Sequence, residues 1–156
     1  EPVPTDVDYS IFISSAVTPD AIENVLTTLR GIAPKRLVML FGAGGDRDRK
    51  KRPIMGKLSA DIADFVIVTS DNPRTEDPMS IIEEILPGVR AGKAPYKVIC
   101  DRPEAIRWAI DHHEPGDVIL LCGKGHEDYQ IIGHEKIHMD EREIVADYLA
   151  ERAKRT

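Results

Sequence analysis

At 156 residues, 42% hydrophobic and 31% charged, the chain has the size and balance of one compact domain with its own apolar core. Its formal net charge of -6 argues against a general binder of nucleic acids or membrane surfaces. Cys100 and Cys122 both end apolar runs, which suits a reducing cytoplasm rather than a disulfide framework, and no apolar run has the length of a membrane span or the form of a signal peptide.

The opening Glu1-Pro2-Val3-Pro4 lacks Met and is expected to belong to a piece of a longer chain. Residues 1–9, rich in proline and acid, read as an opening strand or an ordered tail. Ile11-Phe12-Ile13 is a short apolar strand that ends in Ser14-Ser15. Thr18-Pro19-Asp20 has the form of a helix start, with Thr as cap, Pro at the first position and Asp favourable to the dipole. Ile22, Val25, Leu26 and Leu29 make its buried face, and Gly31 terminates it. Arg36 to Phe41 is a strand, followed by a sharp turn at Gly42-Ala43-Gly44-Gly45 and a basic loop. A helix beginning near Pro53 carries Ile54, Met55, Leu58 and Ile62.

Phe65 to Thr69 is an apolar run rich in β-branched residues and reads as a buried strand. The helix after it has Pro78 in its first turn and Ile81, Ile82, Ile85 and Leu86 on one face, and is expected to end at Pro87-Gly88. Tyr96 to Cys100 is another strand, and Pro103 starts a helix through Ile106, Ala109 and Ile110. Val118 to Cys122, after a turn at 114–117, is apolar on both faces, as a central parallel strand would be. Tyr129–Ile132 and Glu135–Met139, joined at Gly133-His134, read as a small hairpin. Asp140 with Glu143 has the pattern of a capping box for a last helix whose core face is Ile144, Val145, Tyr148 and Leu149.

Strands alternating with helices along nearly the whole chain predict an α/β, Rossmann-like three-layer domain: a mainly parallel sheet of about six strands with one antiparallel edge hairpin. Right-handed crossovers then bring the strand-to-helix loops 42–52, 70–77 and 123–128 to one sheet edge. In the second, Pro73 fixes its own φ and holds Asn72 extended beside Arg74; the loop reads either as a polar turn or as a rigid carboxylate receptor. In the first, neither the dinucleotide fingerprint nor a Walker A loop is matched, so the glycines are expected to turn the chain tightly and bring Arg47 inward. Asp46 and Asp48 flank Arg47 and are placed to restrain it, while Arg49-Lys50-Lys51-Arg52 reads as a solvated loop. In the third, Gly123 and Gly125 allow close approach of a ligand, Glu127 is placed to receive an ammonium, and His126 to orient it or to stabilise the loop. Arg47 and Arg74 for carboxylates, Asn72 for either end and Glu127 for an amine complement a zwitterion.

Cys122 with His126, His134 and His138 matches no usual zinc spacing, and Cys122 at the end of a buried strand is poorly placed as a nucleophile. His112-His113 suits the end of a helix.

Three motifs, FGAGGDRDRKKRPIMG at 41–56, DNPRTEDP at 71–78 and GKGHEDYQI at 123–131, in this order and spacing, resemble the C-terminal domain of the Mur ligase family, in its meso-diaminopimelate-adding branch. The resemblance covers roughly residues 11–152 and implies one amino-acid-binding domain over 1–156. Such enzymes join an amino acid to UDP-MurNAc-L-Ala-D-Glu in the cytoplasm, through an acyl phosphate made with ATP and magnesium. By this resemblance Asn72 and Arg74 bind the distal carboxylate of meso-diaminopimelate, Arg47 is a further arginine of that pocket, and Gly123 and Glu127 receive the amino-acid head. Asp71, Pro73, Lys124 and His126 support the loops, and no catalytic residue or metal ligand is implied. ATP and Mg2+ belong mainly to a central domain, and a UDP-binding domain precedes it; neither has a match here, so this chain alone is expected to hold no cofactor and to be inactive. The family's Asp-Tyr-Ala-His stretch before Thr-Pro is replaced here by Ser14-Ser15-Ala16-Val17, which leaves open the alternative of an engineered or divergent Rossmann-like module without activity.

Overall fold

The structure is a computed structural model and describes residues 2–3, 8–32 and 34–155, so much of the opening stretch lies outside the described residues. In chain order it contains β1 (Pro2–Val3), β2 (Ser10–Ser14), α1 (Pro19–Gly31), β3 (Arg36–Phe41), α2 (Lys51–Ile62), β4 (Phe65–Val68) and α3 (Pro78–Ala91). There follow β5 (Tyr96–Val98), α4 (Arg102–Asp111), β6 (Asp117–Cys122), β7 (Tyr129–Ile132), β8 (Glu135–His138) and α5 (Glu141–Arg155). Side-chain caps start three helices: Thr18 Oγ1 accepts from Ala21 N, Asp77 from Ser80 N and Asp101 from Glu104 N, each contributing about 1 kcal/mol.

Six strands form one sheet in the order β1-β2-β6-β3-β4-β5, parallel except for the β1–β2 pair. Alternation along the strands divides the core in two. Leu37, Met39 and Phe41 of β3, with Val118, Leu120 and Cys122 of β6, pack against α1, α2 and α3. Val38, Leu40, Ile119 and Leu121 face α4 and α5 on the other side. Both faces are covered, which is why these strands are continuous apolar runs. The chain leaves β3 toward one helical layer and β6 toward the other, and ligands of open α/β sheets bind in the crevice at such a switch point.

Three local expectations are corrected. The α3 helix does not end at Pro87-Gly88 but runs through to Ala91. Pro87 is exposed, so its missing N–H and the Glu83 carbonyl lie on the solvent side. Gly88 is buried, and an added Cβ would lie 1.8 Å from Pro53 O of α2; one on Gly56 would lie 2.5 Å from Ile85 O, so the two backbones meet. For the same reason the buried face of α2 is Arg52, Met55, Gly56, Ser59 and Ala60, while Ile54 is exposed. Finally, Asp140 Oδ1 accepts from Arg142 N, but Glu143 does not reach back to close a box, because its carboxylate is on His138 Nε2 at 2.7 Å. The β7–β8 hairpin forms as its own two-stranded sheet, joined to the loop after β4 by an isolated bridge between Arg74 and Ile132.

Candidate functional site

A cleft of about 450 Å³ opens at the carboxyl edge of the sheet, between the loops that follow β3, β4 and β6. Arg47, Asn72, Arg74, Gly123 and Glu127 all line it, as does Asp71.

Glycines after β3 serve close packing. An added Cβ on Gly42 would lie 2.4 Å from Thr69 O, and one on Gly45 1.8 Å from Pro73 O. Gly45 N donates to Asn72 O at 2.7 Å, so the loop after β3 is hydrogen-bonded to the loop after β4. The left-handed residue in this turn is Asp46, with φ 55°, held by the Thr75 hydroxyl on its carboxylate. That hydroxyl and the Thr75 N–H keep the Asp46 carboxyl below the usual carboxylate range. Arg47 is exposed on the rim and donates Nη1 to Asp46 O at 3.0 Å; its restraint is that backbone oxygen, since the Asp46 carboxylate is on Thr75 and Asp48 Oδ1 is on Lys50 N.

Arg74 has φ 53°, a conformation that costs an L-residue about 1–2 kcal/mol. The hairpin holds it there: Arg74 N donates to Ile131 O at 3.0 Å, and Gly133 N to Arg74 O at 2.6 Å. Gln130 Nε2 adds a bond to Ser70 Oγ at 2.8 Å and another to Asp71 O. Arg74 Nη1 donates to Gly45 O at 2.9 Å. A Cβ on Gly44 would stand 3.0 Å from Arg74 Nη1 and 3.4 Å from Arg47 Cγ, so the two arginines flank Gly44.

Asp71 and Glu127 bring carboxylates to the same cleft. Asp71 is buried, with Oδ1 lacking a hydrogen-bond partner and standing 3.5 Å from Lys124 Nζ. Lys124 is fully buried and donates to Asn72 Oδ1 at 2.7 Å and Glu127 Oε1 at 2.8 Å. Gly123 has φ 116° and comes so close to Asp71 that an added Cβ would lie 3.2 Å from Oδ2. His126 is outside the cleft: its Nδ1 accepts from Arg142 Nη2 at 2.8 Å, tying this loop to α5. Pro73 is buried as the surface on which Gly45 rests.

Sequence reading missed several residues that hold this arrangement. Arg52, taken as solvated, is 1% exposed and donates Nη2 to Gly44 O at 2.9 Å while pairing with Glu76 and Glu84. Arg102 and Glu141 form a buried pair behind the loops. No local pattern marks these, because their partners are distant in sequence. Burial pushes the Cys122 thiol up to about 12, which leaves no thiolate for a nucleophile. His112 and His113 cap the last carbonyls of α4 with Nδ1. Among the described residues no group of three or more His, Cys, Asp or Glu is placed to hold a metal ion; Gly42 and Gly45 pack against residues 69–73, while Gly42, Ala43 and Gly44 also line the cleft.

The fold and the cleft define an α/β domain with a polar-lined cleft at a switch point of its sheet. The profile of the Mur ligase, glutamate ligase domain matches residues 1–125, and the chain belongs to the Mur ligase family. It is 52% identical over 154 residues to the UDP-N-acetylmuramoyl-L-alanyl-D-glutamate--2,6-diaminopimelate ligase of Caldanaerobacter subterraneus subsp. tengcongensis, covering 99% of this chain and 32% of that protein. It is 54% identical over 149 residues to the ligase of the same name from Trichormus variabilis, covering 96% of this chain and 30% of that one. The chain therefore spans about a third of the length of these relatives. A solved ligase of that name superposes with a TM-score of 0.90 at 39% identity, over 97% of this chain and 31% of the other. The MurF ligase of Thermotoga maritima, solved with ADP, shares the fold with a TM-score of 0.58 at 18% identity, over 99% of this chain and 31% of the other.

No helix among the described residues is long and apolar enough to cross a membrane.

Proposed function

We propose that residues 1–156 are the amino-acid-recognition domain of a ligase that adds meso-diaminopimelate to UDP-MurNAc-L-Ala-D-Glu in cytoplasmic peptidoglycan synthesis. What carries this reading is one cleft lined by Arg47 and Arg74 together with Asp71 and Glu127, in a chain 52% identical to a ligase named for that amino acid. Arg47 and Arg74 take the distal carboxylate, Arg74 with its planar fork, and Asn72 adds its amide N–H. The carboxylates of Asp71 and Glu127 take the ammonium beside it, and Gly123 admits the ligand close to the backbone. Lysine lacks the distal carboxylate and would leave the Arg74 charge unpaired, which is the source of selectivity.

ATP and Mg2+ are assigned to the parent enzyme's central domain, as the family resemblance implies and because residues 42–49 match neither the Walker A nor the dinucleotide pattern. The isolated chain is then a half-site: it binds the amino acid weakly and performs no ligation. Isothermal titration tests this. Millimolar or tighter binding of meso-diaminopimelate with clearly weaker lysine supports the reading, and equal affinities overturn it. Arg74→Lys is expected to erase the preference, because a point charge does not reproduce the fork.

A further inference from the structure

Lys124 contributes no atom to the lining of the cleft, yet its buried ammonium touches three residues that do. Two donors converge on Asn72 Oδ1: Lys124 Nζ at 2.7 Å and Ile131 N at 2.9 Å. Only an oxygen accepts from both, so the orientation of the Asn72 amide is fixed, with both lone pairs spent. Its nitrogen is left toward Glu127 Oε1 at 3.5 Å, the outer limit of a hydrogen bond. Lys124 also stands 2.8 Å from Glu127 Oε1 and 3.5 Å from Asp71 Oδ1, so one cation faces two carboxylates.

We infer that Lys124 is a positioning residue that sets both the hydrogen-bond polarity and the charge of the recognition end. By holding the Asn72 oxygen it turns the amide N–H2 to the ligand, so Asn72 recognises an acceptor and not an ammonium. By neutralising one of the two carboxylates it leaves a single net negative charge, so the acidic end accepts one ammonium. The inference rests on the proposed amino-acid site for its ligand but not for its geometry.

Lys124→Met keeps an unbranched side chain one atom shorter and removes the charge. In the ligand-free chain, the Asn72 side-chain amide is expected as one sharp pair of NMR signals in the wild type. In the variant those signals shift and broaden as the amide samples both orientations; unchanged signals overturn the inference. Titrations then read selectivity. The preference for meso-diaminopimelate over lysine is expected to fall by about tenfold or more in Lys124→Met, as the second carboxylate becomes free for a second cation. Propylammonium added to Lys124→Ala is expected to restore part of it, which a merely structural role would not give. An unchanged preference in the folded Met variant also overturns the inference. A wild type that binds no meso-diaminopimelate would defeat the ligand reading alone, and the Asn72 signals would still decide the role of Lys124.

Discussion

Arg102 donates Nε to Glu141 Oε2 at 2.9 Å, and neither side chain reaches solvent. Its Nη1 is spent on Ser70 O at 3.0 Å and its Nη2 on Cys122 O at 2.9 Å. One guanidinium thus joins α4 and α5 to the points where β4 and β6 release the loops carrying Asn72 and Lys124. Removing one partner of a buried ion pair leaves an uncompensated charge, so Glu141→Gln is expected to cost about 3–5 kcal/mol. The double change Arg102→Met with Glu141→Leu is expected to cost less than the two single changes added together. Urea unfolding with an unchanged slope measures both. A loss under about 1 kcal/mol for Glu141→Gln would contradict a buried pair.

The meeting of α2 and α3 at Gly88 gives a second expectation. A Cβ there has backbone 1.8 Å away at Pro53 O and 2.9 Å away at Lys57 N, with no flexible side chain to yield. Gly88→Ala must therefore separate the helices and is expected to destabilise by about 1–3 kcal/mol. Gly31→Ala is the control, since nothing lies within 4 Å of its added Cβ. At that helix end the change is expected to be neutral or stabilising by up to about 1 kcal/mol. Thermal unfolding of both variants checks the contrast.

That crossing also marks where local sequence rules stop. Alternating strands and helices were legible because β3 and β6, covered on both faces, are long apolar runs, and because Thr18-Pro19 and Pro78 punctuate helices by local chemistry. Loop placement followed from handedness alone, and it put Arg47, Asn72, Arg74 and Glu127 on one cleft. Pro87-Gly88 reads locally as a stop, but the packing of Gly88 on α2 overrides it. Arg52 reads as a solvated charge and Arg102 carries no local signal, because nothing nearby announces Glu76, Glu84 or Glu141 as partners. The role of the hairpin as a prop for the left-handed Arg74 was equally hidden, since it depends on backbone bonds between loops.

Asp64 makes stability depend on acid in a known direction. Partial burial disfavours its charge, but Arg30 Nη1 at 2.9 Å and Leu37 N at 2.8 Å outweigh that and hold the carboxyl below its ordinary 3.8. A carboxylate depressed in the folded state contributes stability that is complete above the unfolded value and is lost as pH falls through the folded one. Asp64→Asn is therefore expected to be less stable than the wild type at pH 7, with the difference shrinking below about pH 3.8. Solvent screening at this half-exposed pair keeps the effect to about 1 kcal/mol or less. Denaturant midpoints measured for both proteins between neutral and acidic pH test it, and a difference that grows on acidification would reverse the assignment.

Arg47 and Arg52 share one basic segment but have opposite surroundings, which separates stability from recognition. Arg52 is buried, with Gly44 O at 2.9 Å, Glu76 Oε2 at 2.8 Å and Glu84 Oε1 at 3.3 Å. Arg52→Met removes the donor to the Gly44 carbonyl and to Glu76 Oε2, leaves Glu84 to Arg49 alone, and is expected to lower unfolding stability by about 1–3 kcal/mol. Arg47 is exposed and its side chain donates to the Asp46 carbonyl, so Arg47→Met is expected to change stability by no more than about 0.5 kcal/mol. If Arg47 meets the distal carboxylate, the same change weakens meso-diaminopimelate binding by about tenfold. Unfolding curves and titrations on the two variants form a crossed pair: loss of affinity without loss of stability at Arg47, and loss of stability first at Arg52. A folded Arg47→Met chain that binds as tightly as the wild type would remove Arg47 from the pocket.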